Sequence, residues 1–439
     1  MITRRALLGG VAALAFVRPG WAEDALPIVF VHGDSDSAAV WQSTFWRFES
    51  NGYPREKLFA ISFTNPRARS DNGVEQPDRS STEDERKELA AFVDDVLAKT
   101  GSGKVALVAN SRGCNTTRNY LRNGGAAKAS HAVLCGGVNH GVFAIPAMLG
   151  SEYNGQGAFL AALNTGDETT EGVKFLTLRS DGFDLYAQPD GAYIGQPGVK
   201  TNVTPDGPAL KGATNLALDH IDHRETAFSP RAFAEIYGFL VGHAPSRIAI
   251  VPEAQVTLNG VATGVSENTP TNKPVAGAKV EVYAVDPETG ARRGAALLTK
   301  TTGADGVWGP LTTDSATALE FVVAAPDQLV THIYRSPFPR SFAMLNLRPA
   351  IASEAKGEAA AIVTMNRPRG YFGAPRDVIL IDGKTPDGIP PGVPAVWRLP
   401  VKFAAMEDRP VVCEFNQERI VARPWPLKDK HISIAELTF

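Results

Sequence analysis

A serine between small residues is the clearest chemical feature of this chain. Ser111 is the third residue of ANSRG (109–113), which follows the apolar run VALV (105–108) and precedes a helix-compatible stretch (115–121). A strand, a sharp turn centred on a serine and a helix together form a nucleophile elbow, whose strained turn favours small neighbours. The pattern therefore predicts a nucleophilic Ser111, with an ordinary strand-to-helix loop as the alternative.

A serine nucleophile needs a histidine that takes its proton and a carboxylate that orients the histidine. After an elbow, the expected chain order is serine, acid, histidine. Two histidines lie in the right place before a predicted last helix, and we favour His223 over His220. Two aspartates follow a predicted strand (174–178), and we favour Asp184 over Asp181 because it lies in the turn beyond the strand.

Acyl transfer also needs two N–H donors for the developing oxyanion. One is expected from the residue after the nucleophile, Arg112. The other is expected from Asp34, in the segment VHGD (31–34), where Gly33 permits a tight turn. We expect His32 to order this loop by hydrogen bonding. For the Arg112 side chain, a salt bridge to a nearby acid and contact with an anionic part of a substrate both stay open.

Alternating apolar strands and helices over residues 26–240 predict a parallel sheet that is covered on both faces. Thr82 and Glu85 have the spacing of a capping box at the start of a helix. A Gly-rich segment (139–170) is interpreted as a lid or a substrate-binding wall. The strands are expected at 27–32, 58–63, 105–109, 131–135 and 173–179, and the main helices at 82–99 and 230–240.

Helical periodicity ends after residue 246, where short alternating runs begin and predict an antiparallel β-sandwich. We expect strands at 278–283, 299–302, 304–308 and 319–324. The segments PVAGA (274–278) and DGVW (305–308) resemble transthyretin-like modules. The predicted organisation is an α/β domain at 23–246, a transthyretin-like β-sandwich at 247–349 and a β-rich module at 350–439, which could also complete one larger β domain.

Composition and charge exclude several classes of function. The 439 residues are 44% hydrophobic and 21% charged, as in soluble globular proteins, and the formal net charge of -3 gives no indication of a nucleic-acid partner. Three cysteines provide neither a disulfide framework nor metal-ligand spacing. No metal or organic cofactor is predicted. For Cys114 and Cys135, buried thiols are favoured over a bridge.

The first residues have the pattern of a targeting segment. TRR (3–5) precedes a modest apolar stretch and a small-residue end near Ala22, which predicts a twin-arginine export signal over residues 1–22. This signal predicts a secreted or periplasmic bacterial protein. No second hydrophobic span follows, so no membrane span is expected in the mature chain.

Residues 27–240 resemble the bacterial class 2 lipases of the α/β-hydrolase superfamily. The matching segments are PIVFVHG (27–33), NGYP (51–54) with KLFA (57–60), ANSRG (109–113), FL (159–160) with LN (163–164), RSDGFD (179–184) and LDHIDH (218–223). The resemblance implies Ser111 as nucleophile, Asp184 as acid and His223 as base. The chain departs from it at Asn110, where the family usually has histidine, which leaves the substrate preference open.

These observations predict an exported serine ester hydrolase that acts through an acyl-enzyme, with a lipid-like ester as its substrate. One alternative is a polyester depolymerase with the same three catalytic residues, in which the β modules adsorb to the polymer. The alternative from a different class is a surface- or carbohydrate-binding protein with an inactive hydrolase domain.

Overall fold

The computed structural model describes residues 25–439, apart from residues 190, 192–193, 195–196, 200–206 and 267. The predicted export signal, residues 1–22, lies outside the described residues. Within the described part of the chain, no helix has the length and apolar character that a membrane crossing requires.

The first half of the chain forms a parallel six-stranded sheet in the order β2-β1-β5-β6-β7-β8. Its elements are β1 (Ile28–Val31), α1 (Gln42–Ser50), β2 (Leu58–Ala60), β3 (Arg67–Ala68), β4 (Arg79–Ser80), α2 (Thr82–Thr100), β5 (Val105–Asn110), α3 (Arg112–Arg122), β6 (Ala129–Cys135), α4 (Ala158–Leu163), β7 (Lys174–Ser180), β8 (Thr214–Leu218), α5 (Glu225–Phe228) and α6 (Pro230–Val241). Strands β3 and β4 form a separate parallel pair. The predicted α/β fold class is confirmed, and β8 adds a strand that the sequence patterns did not indicate.

Helices cover both faces of this sheet because alternate residues of each strand point to opposite sides. In β1, Ile28 and Phe30 belong to the apolar cluster that includes α1 and α6. Val29 and Val31 belong to the second cluster, with α2 and α3. The fully apolar strands of the sequence are therefore explained by burial on both faces.

The predicted capping box of α2 is wrong by one residue. The N-cap is Ser81, whose hydroxyl accepts from the Asp84 N–H at 3.2 Å, while the Ser81 N–H donates to Asp84 Oδ2 at 2.8 Å. Thr82 is thus the first helical residue. Glu85 does not cap the helix but lies buried on its inner side.

The second half of the chain is built of β-strands. They are β9 (Gln255–Ser266), β10 (Thr269–Pro274), β11 (Lys279–Ala284), β12 (Leu298–Thr301), β13 (Leu311–Asp314), β14 (Leu319–Ala324), β15 (Val330–Arg335), β16 (Phe342–Leu347), β17 (Ala361–Asn366), β18 (Ile379–Ile381), β19 (Arg398–Phe403), β20 (Val411–Phe415), β21 (Glu418–Ala422) and β22 (His431–Glu436). The strand expected at 304–308 is a turn around Gly306, whose φ is 65°, and β13 follows it.

These strands form a seven-stranded sheet (β12-β11-β14-β15-β22-β17-β19), a four-stranded sheet around β9 and a three-stranded sheet (β18-β20-β21). The expectation of a purely antiparallel sandwich is wrong, because β22 inserts between β15 and β17 and runs parallel to both. Strands from 247–349 and 350–439 therefore share one sheet. The domain boundaries themselves stay predictions.

The two halves of the chain pack through a shared apolar core. Trp46 of α1 lies edge-on to Phe338, and Phe45 lies edge-on to Phe342 of β16. The indole N–H of Trp46 also donates to the Ser341 carbonyl at 3.1 Å. Because these side chains belong to one buried cluster, the β half is fixed against the α/β half and thereby against the cavity described below.

We expect Gly113→Ala to destabilise the protein by about 1–3 kcal/mol, because overpacking a tight contact forces the backbone apart. A Cβ at position 113 would lie 2.6 Å from the His32 carbonyl oxygen and 2.7 Å from that of Val31. Urea unfolding measures the effect. Gly103→Ala is the matched control, since a Cβ there meets no heavy atom within 4 Å. Equal losses in the two variants would contradict the steric explanation.

Candidate active site

Ser111 occupies the turn between β5 and α3 in a strained backbone conformation. Its φ is 52° and its ψ is −121°, a conformation that costs a non-glycine residue roughly 1–3 kcal/mol. The Ser111 N–H donates to the Cys135 carbonyl and its carbonyl accepts from the Cys114 N–H, both at 2.9 Å. The predicted elbow geometry is therefore present, and Ser111 lines a large cavity.

His223 is paired with Asp184 in the interior. Its Nδ1 lies 2.8 Å from Asp184 Oδ2, and the two residues are only 2% and 4% exposed. The other carboxylate oxygen accepts from the Tyr186 N–H at 2.8 Å. Since Nδ1 carries the proton that Asp184 accepts, Nε2 is the free acceptor, and it has no hydrogen-bond partner among the described residues.

Contacts around the imidazole fix its orientation. The Tyr186 ring lies edge-on to it with 4.6 Å between ring centroids, and the Thr226 hydroxyl donates to the His223 carbonyl at 2.6 Å. His223 lines the same cavity as Ser111. A buried imidazole with a free acceptor nitrogen at that cavity can take a proton from a hydroxyl group.

The two rejected candidates have structural roles in a neighbouring turn. Asp181 accepts from the His220 N–H at 2.9 Å and from the Phe183 N–H at 3.1 Å. His220 is exposed and has a φ of 59°. The geometry thus associates Asp184 with His223 and assigns Asp181 and His220 to the chain turn.

His32 orders the loop after β1, as expected from the sequence. Its Nδ1 donates to the Gly33 carbonyl at 2.7 Å, and its Nε2 accepts from the Phe63 N–H at 3.1 Å. These contacts need a neutral ring, and burial lowers the pKa of His32 to about 4. The loop passes close to the nucleophile, because a Cβ on Gly33 would lie 3.0 Å from the Cβ of Ser111.

The Asp34 side chain anchors the predicted oxyanion loop. Its carboxylate accepts from the Ser35 hydroxyl at 2.7 Å, from the Ala68 N–H at 2.9 Å and from the Tyr153 hydroxyl at 3.0 Å. These contacts hold the backbone of Asp34 beside Ser111. No sequence pattern indicated Tyr153, which lies in the Gly-rich segment at 139–170.

The Arg112 side chain points away from the cavity into the interior. It is fully buried, with Nη1 2.5 Å from Glu85 Oε1 and Nε 2.7 Å from Glu152 Oε1. It also donates to the Pro66 and Ser80 carbonyls. Of the two roles left open, the structure shows the salt bridge and not a substrate contact, so the side chain ties the elbow helix to α2 and to the 139–170 segment.

The β half of the chain holds the loop that carries His223. Asp222 is fully buried and accepts from Arg367 Nη1 at 3.0 Å and from the Tyr371 N–H at 2.7 Å. Glu225 accepts from Arg367 at 2.5 Å and from Arg376 at 2.7 Å. Asp222 and Glu225, close to His223 in the sequence, indicate a need for cationic partners. Nothing in the sequence shows that these partners lie about 145 residues later in the chain.

Ionisation of the two acids reflects this environment. Burial and the Glu225 carboxylate raise the pKa of Asp222 to about 6, against the opposing effect of Arg367 and Arg376. For Glu225, the attraction of the same two guanidinium groups outweighs burial and lowers the pKa. Arg367 and Arg376 therefore both stabilise the charged forms of Asp222 and Glu225.

The cavity at Ser111 and His223 has a volume of about 790 Å³ and lies between the two halves of the chain. One side is apolar and aromatic, with contributions from Val142, Phe143, Met148 and Tyr186. The β half contributes further lining residues, including Tyr371 and Trp397. An apolar wall beside a serine and a histidine fits an ester with a hydrophobic portion.

Three further observations concern the cysteines, possible metal ligands and Asn110. Cys114 and Cys135 are free, buried thiols. Over the described residues, no group of His, Cys, Asp and Glu side chains is arranged to hold a metal ion. Asn110 is buried and donates to the Cys135 carbonyl at 3.2 Å.

Comparison with known proteins identifies two family matches. Residues 25–171 match the family model for class 2 lipases, and residues 254–351 match the model for the lipase C-terminal domain. The resemblance seen in the sequence is thereby confirmed. Both matches lie in the parts of the chain that form the α/β sheet and the first β-strands of the second half.

Among solved structures, the chain is similar to Aspergillus fumigatus lipase B (16% identity, TM-score 0.36), with 51% of this chain covering 54% of the lipase. It is also similar to Bacillus licheniformis lipase BlEst2 (21% identity, TM-score 0.36; 49% of this chain, 92% of the other). A third is Bacillus subtilis carboxylesterase CesB (15% identity, TM-score 0.29; 50% and 85%).

We expect Arg367→Met to lower the free energy of unfolding by about 3 kcal/mol, because it leaves buried carboxylates without their main partner. Urea unfolding at neutral pH measures the loss. Arg419→Met is the control: its partner Glu288 is exposed, and such surface pairs contribute at most about 1 kcal/mol. A loss no larger than that of the control would contradict a stabilising role for the Arg367 contacts.

We expect His32 to make stability fall as the solution becomes more acidic. The unfolded chain takes up a proton near pH 6.5, whereas the folded ring does so only near pH 4. The unfolded state is therefore favoured by about 1.4 kcal/mol per pH unit as the pH falls through that window. Urea unfolding from pH 7 to 4 should show a shallower slope for His32→Gln than for the wild type, and parallel curves would refute the assignment.

Proposed function

We propose that this chain cleaves carboxylic esters, with Ser111 as nucleophile, His223 as base and Asp184 as the acid that orients the base. Its two family matches support a lipase- or esterase-type hydrolase. The observation that carries the proposal is the buried His223–Asp184 pair, which leaves the imidazole Nε2 free at the cavity that Ser111 also lines.

In the proposed reaction, Ser111 Oγ attacks the ester carbonyl while His223 Nε2 takes the hydroxyl proton. Asp184 keeps the proton of Nδ1 in place and stabilises the imidazolium that forms. His223 then gives its proton to the departing alcohol, which leaves an acyl group on Ser111. Water, activated by the same imidazole, attacks this acyl-enzyme and releases the carboxylic acid.

The negative charge of the tetrahedral intermediate needs fixed donors. We propose the backbone N–H groups of Asp34 and Arg112 for this role. Each such donor typically contributes about 3 kcal/mol of transition-state stabilisation. The contacts of the Asp34 carboxylate with Ala68 and Tyr153, and the buried ion pairs of Arg112, support the role by holding both backbones in place.

The cavity favours small or lipid-like esters over a polymer surface. A polyester depolymerase needs an open groove, whereas here the β half contributes Tyr371 and Trp397 to the lining of the cavity. The paired His223 and Asp184 also argue against an inactive hydrolase domain. This chemistry needs no metal or organic cofactor. We propose a secreted or periplasmic location from the twin-arginine pattern of residues 1–22.

We expect Ser111→Ala to abolish p-nitrophenyl ester hydrolysis and Asp184→Asn to lower kcat by about 10⁴-fold, as loss of the orienting acid does in related triads. Initial rates of the purified full-length protein measure both effects. Asp181→Asn and His220→Ala are the matched controls from the neighbouring turn and should stay within about tenfold of the wild type. Retained hydrolysis in Ser111→Ala would overturn the proposal.

A further inference from the structure

The charges that line the cavity are strongly unbalanced. Eight arginines line it, against the three carboxylates of Asp34, Asp36 and Glu436. Some of these guanidinium groups belong to the α/β half and others to the β half. A positively charged and partly desolvated cavity of this kind attracts anions.

Half of these arginines form an ion pair within the described part of the chain, namely Arg69, Arg224, Arg335 and Arg398. The other half form none there, namely Arg67, Arg79, Arg348 and Arg369. Arg369 is satisfied by backbone carbonyls, including those of Val40 and Ala39 at 3.0 Å each. The unpaired charge is therefore concentrated on Arg67, Arg79 and Arg348.

Arg67 and Arg79 lie opposite each other in the small β3–β4 ribbon. Arg79 donates to the Ala68 carbonyl at 2.7 Å, while the partly buried Arg67 side chain has no hydrogen bond to the described residues. Burial and the charge of Arg67 both lower the pKa of Arg79. Two guanidinium groups held together in this way repel each other, and an anion between them would relieve the repulsion.

The ribbon lies directly beside the proposed oxyanion loop. The Ala68 N–H, between Arg67 and Arg69, donates to Asp34 Oδ2 at 2.9 Å. The Asp34 carboxylate offsets part of the charge of Arg79 and acts to raise its pKa, but burial and Arg67 together outweigh it and the pKa stays lowered. An anion at Arg67 and Arg79 would thus lie on the oxyanion side of Ser111.

Three further guanidinium N–H groups at the cavity lack partners. The Nε atoms of Arg69, Arg335 and Arg348 are buried with no hydrogen-bond partner in the described structure. Arg348 comes from the β half and is held through Nη2 by Asn272 Oδ1 at 2.7 Å. Buried unpaired donors are costly, and donors from both sides of the cavity would be satisfied by a bound anion.

We propose that the ester substrate carries an anionic group, a carboxylate or a phosphate, and that Arg67 and Arg79 bind it, with Arg348 facing it from the β half. This inference rests on the proposed ester hydrolysis. A guanidinium group binds carboxylate and phosphate in the same bidentate way, with two N–H donors in one plane directed at two oxygens of the anion. Arg67 and Arg79 thus take the role that the sequence left open for Arg112.

The test compares anionic and neutral esters of matched length. For a carboxylate, the pair is p-nitrophenyl hydrogen glutarate and p-nitrophenyl pentanoate; for a phosphate, it is butyryl glycerol phosphate and glycerol monobutyrate. We expect kcat/KM to favour one anionic ester, and the pair that shows this preference identifies the anion. Arg67→Met and Arg79→Met should each reduce the anionic-to-neutral ratio by about tenfold or more.

Arg293→Met is the matched control, because Arg293 is exposed, pairs with Asp286 and does not line the cavity. Its ratio should equal that of the wild type. In the wild-type protein the preference should also shrink with added salt, a measurement that needs no variant. Equal ratios in the wild type and in the Arg67→Met, Arg79→Met double variant would overturn the anion site while leaving ester hydrolysis intact.

Anion binding is also measurable without turnover. Calorimetry with glutarate and with inorganic phosphate on Ser111→Ala protein should detect binding that is weakened about tenfold or more by adding Arg67→Met. Because this measurement does not depend on hydrolysis, the result would support the anion site even if no ester were hydrolysed. It therefore distinguishes failure of the anion site from failure of the proposed function. No binding of either anion, together with no anionic preference in hydrolysis, would overturn the site.

Discussion

The buried carboxylate of Asp222 is the constraint on which the relation between the two halves depends. A charge with no access to water must be compensated locally. Here Arg367 and the Tyr371 N–H of the β half contribute, together with the Arg224 and Glu225 N–H groups of the same loop. Because Asp222 directly precedes His223, the β half helps to hold the loop that carries the imidazole. Tyr371 also lines the cavity, as does Tyr186, whose ring packs on the imidazole.

The β half also holds the opposite side of the site. Asn272, in β10, donates to the carbonyls of Asp36 at 2.9 Å and Phe63 at 2.8 Å, and so braces the loop that follows β1. The proposed base and the proposed oxyanion loop are therefore both braced by residues from the second half of the chain. The β half thus borders the candidate active site directly, unlike a module joined only by a linker.

Local patterns in the sequence predicted most of the α/β half, and long-range contacts explain what they missed. The elbow turn and α2 follow from short-range periodicity and turn chemistry. The expected chain order of serine, acid and histidine came instead from the fold that such an elbow predicts. The one-residue error at Ser81 arose because two neighbouring residues could each cap the helix, and only the burial of Glu85 against Arg112 decides between them. The partners of Asp222, and the insertion of β22 into the large sheet, depend on tertiary packing that no local pattern records.

The residues next to Ser111 in the sequence do not account for the charge of the cavity. Asn110 and Arg112 flank the nucleophile in sequence, yet both side chains are buried and engaged, one with the Cys135 carbonyl and the other with two carboxylates. Most charged groups that line the cavity are arginines, including Arg67 and Arg79 of the β3–β4 ribbon and others from the β half, and these are the groups that the proposed anionic ester would meet. An excess of fixed positive charge stabilises an oxyanion but destabilises an imidazolium. In the proposed reaction the buried Asp184 carboxylate is the counter-charge that stabilises the imidazolium of His223 in the same cavity.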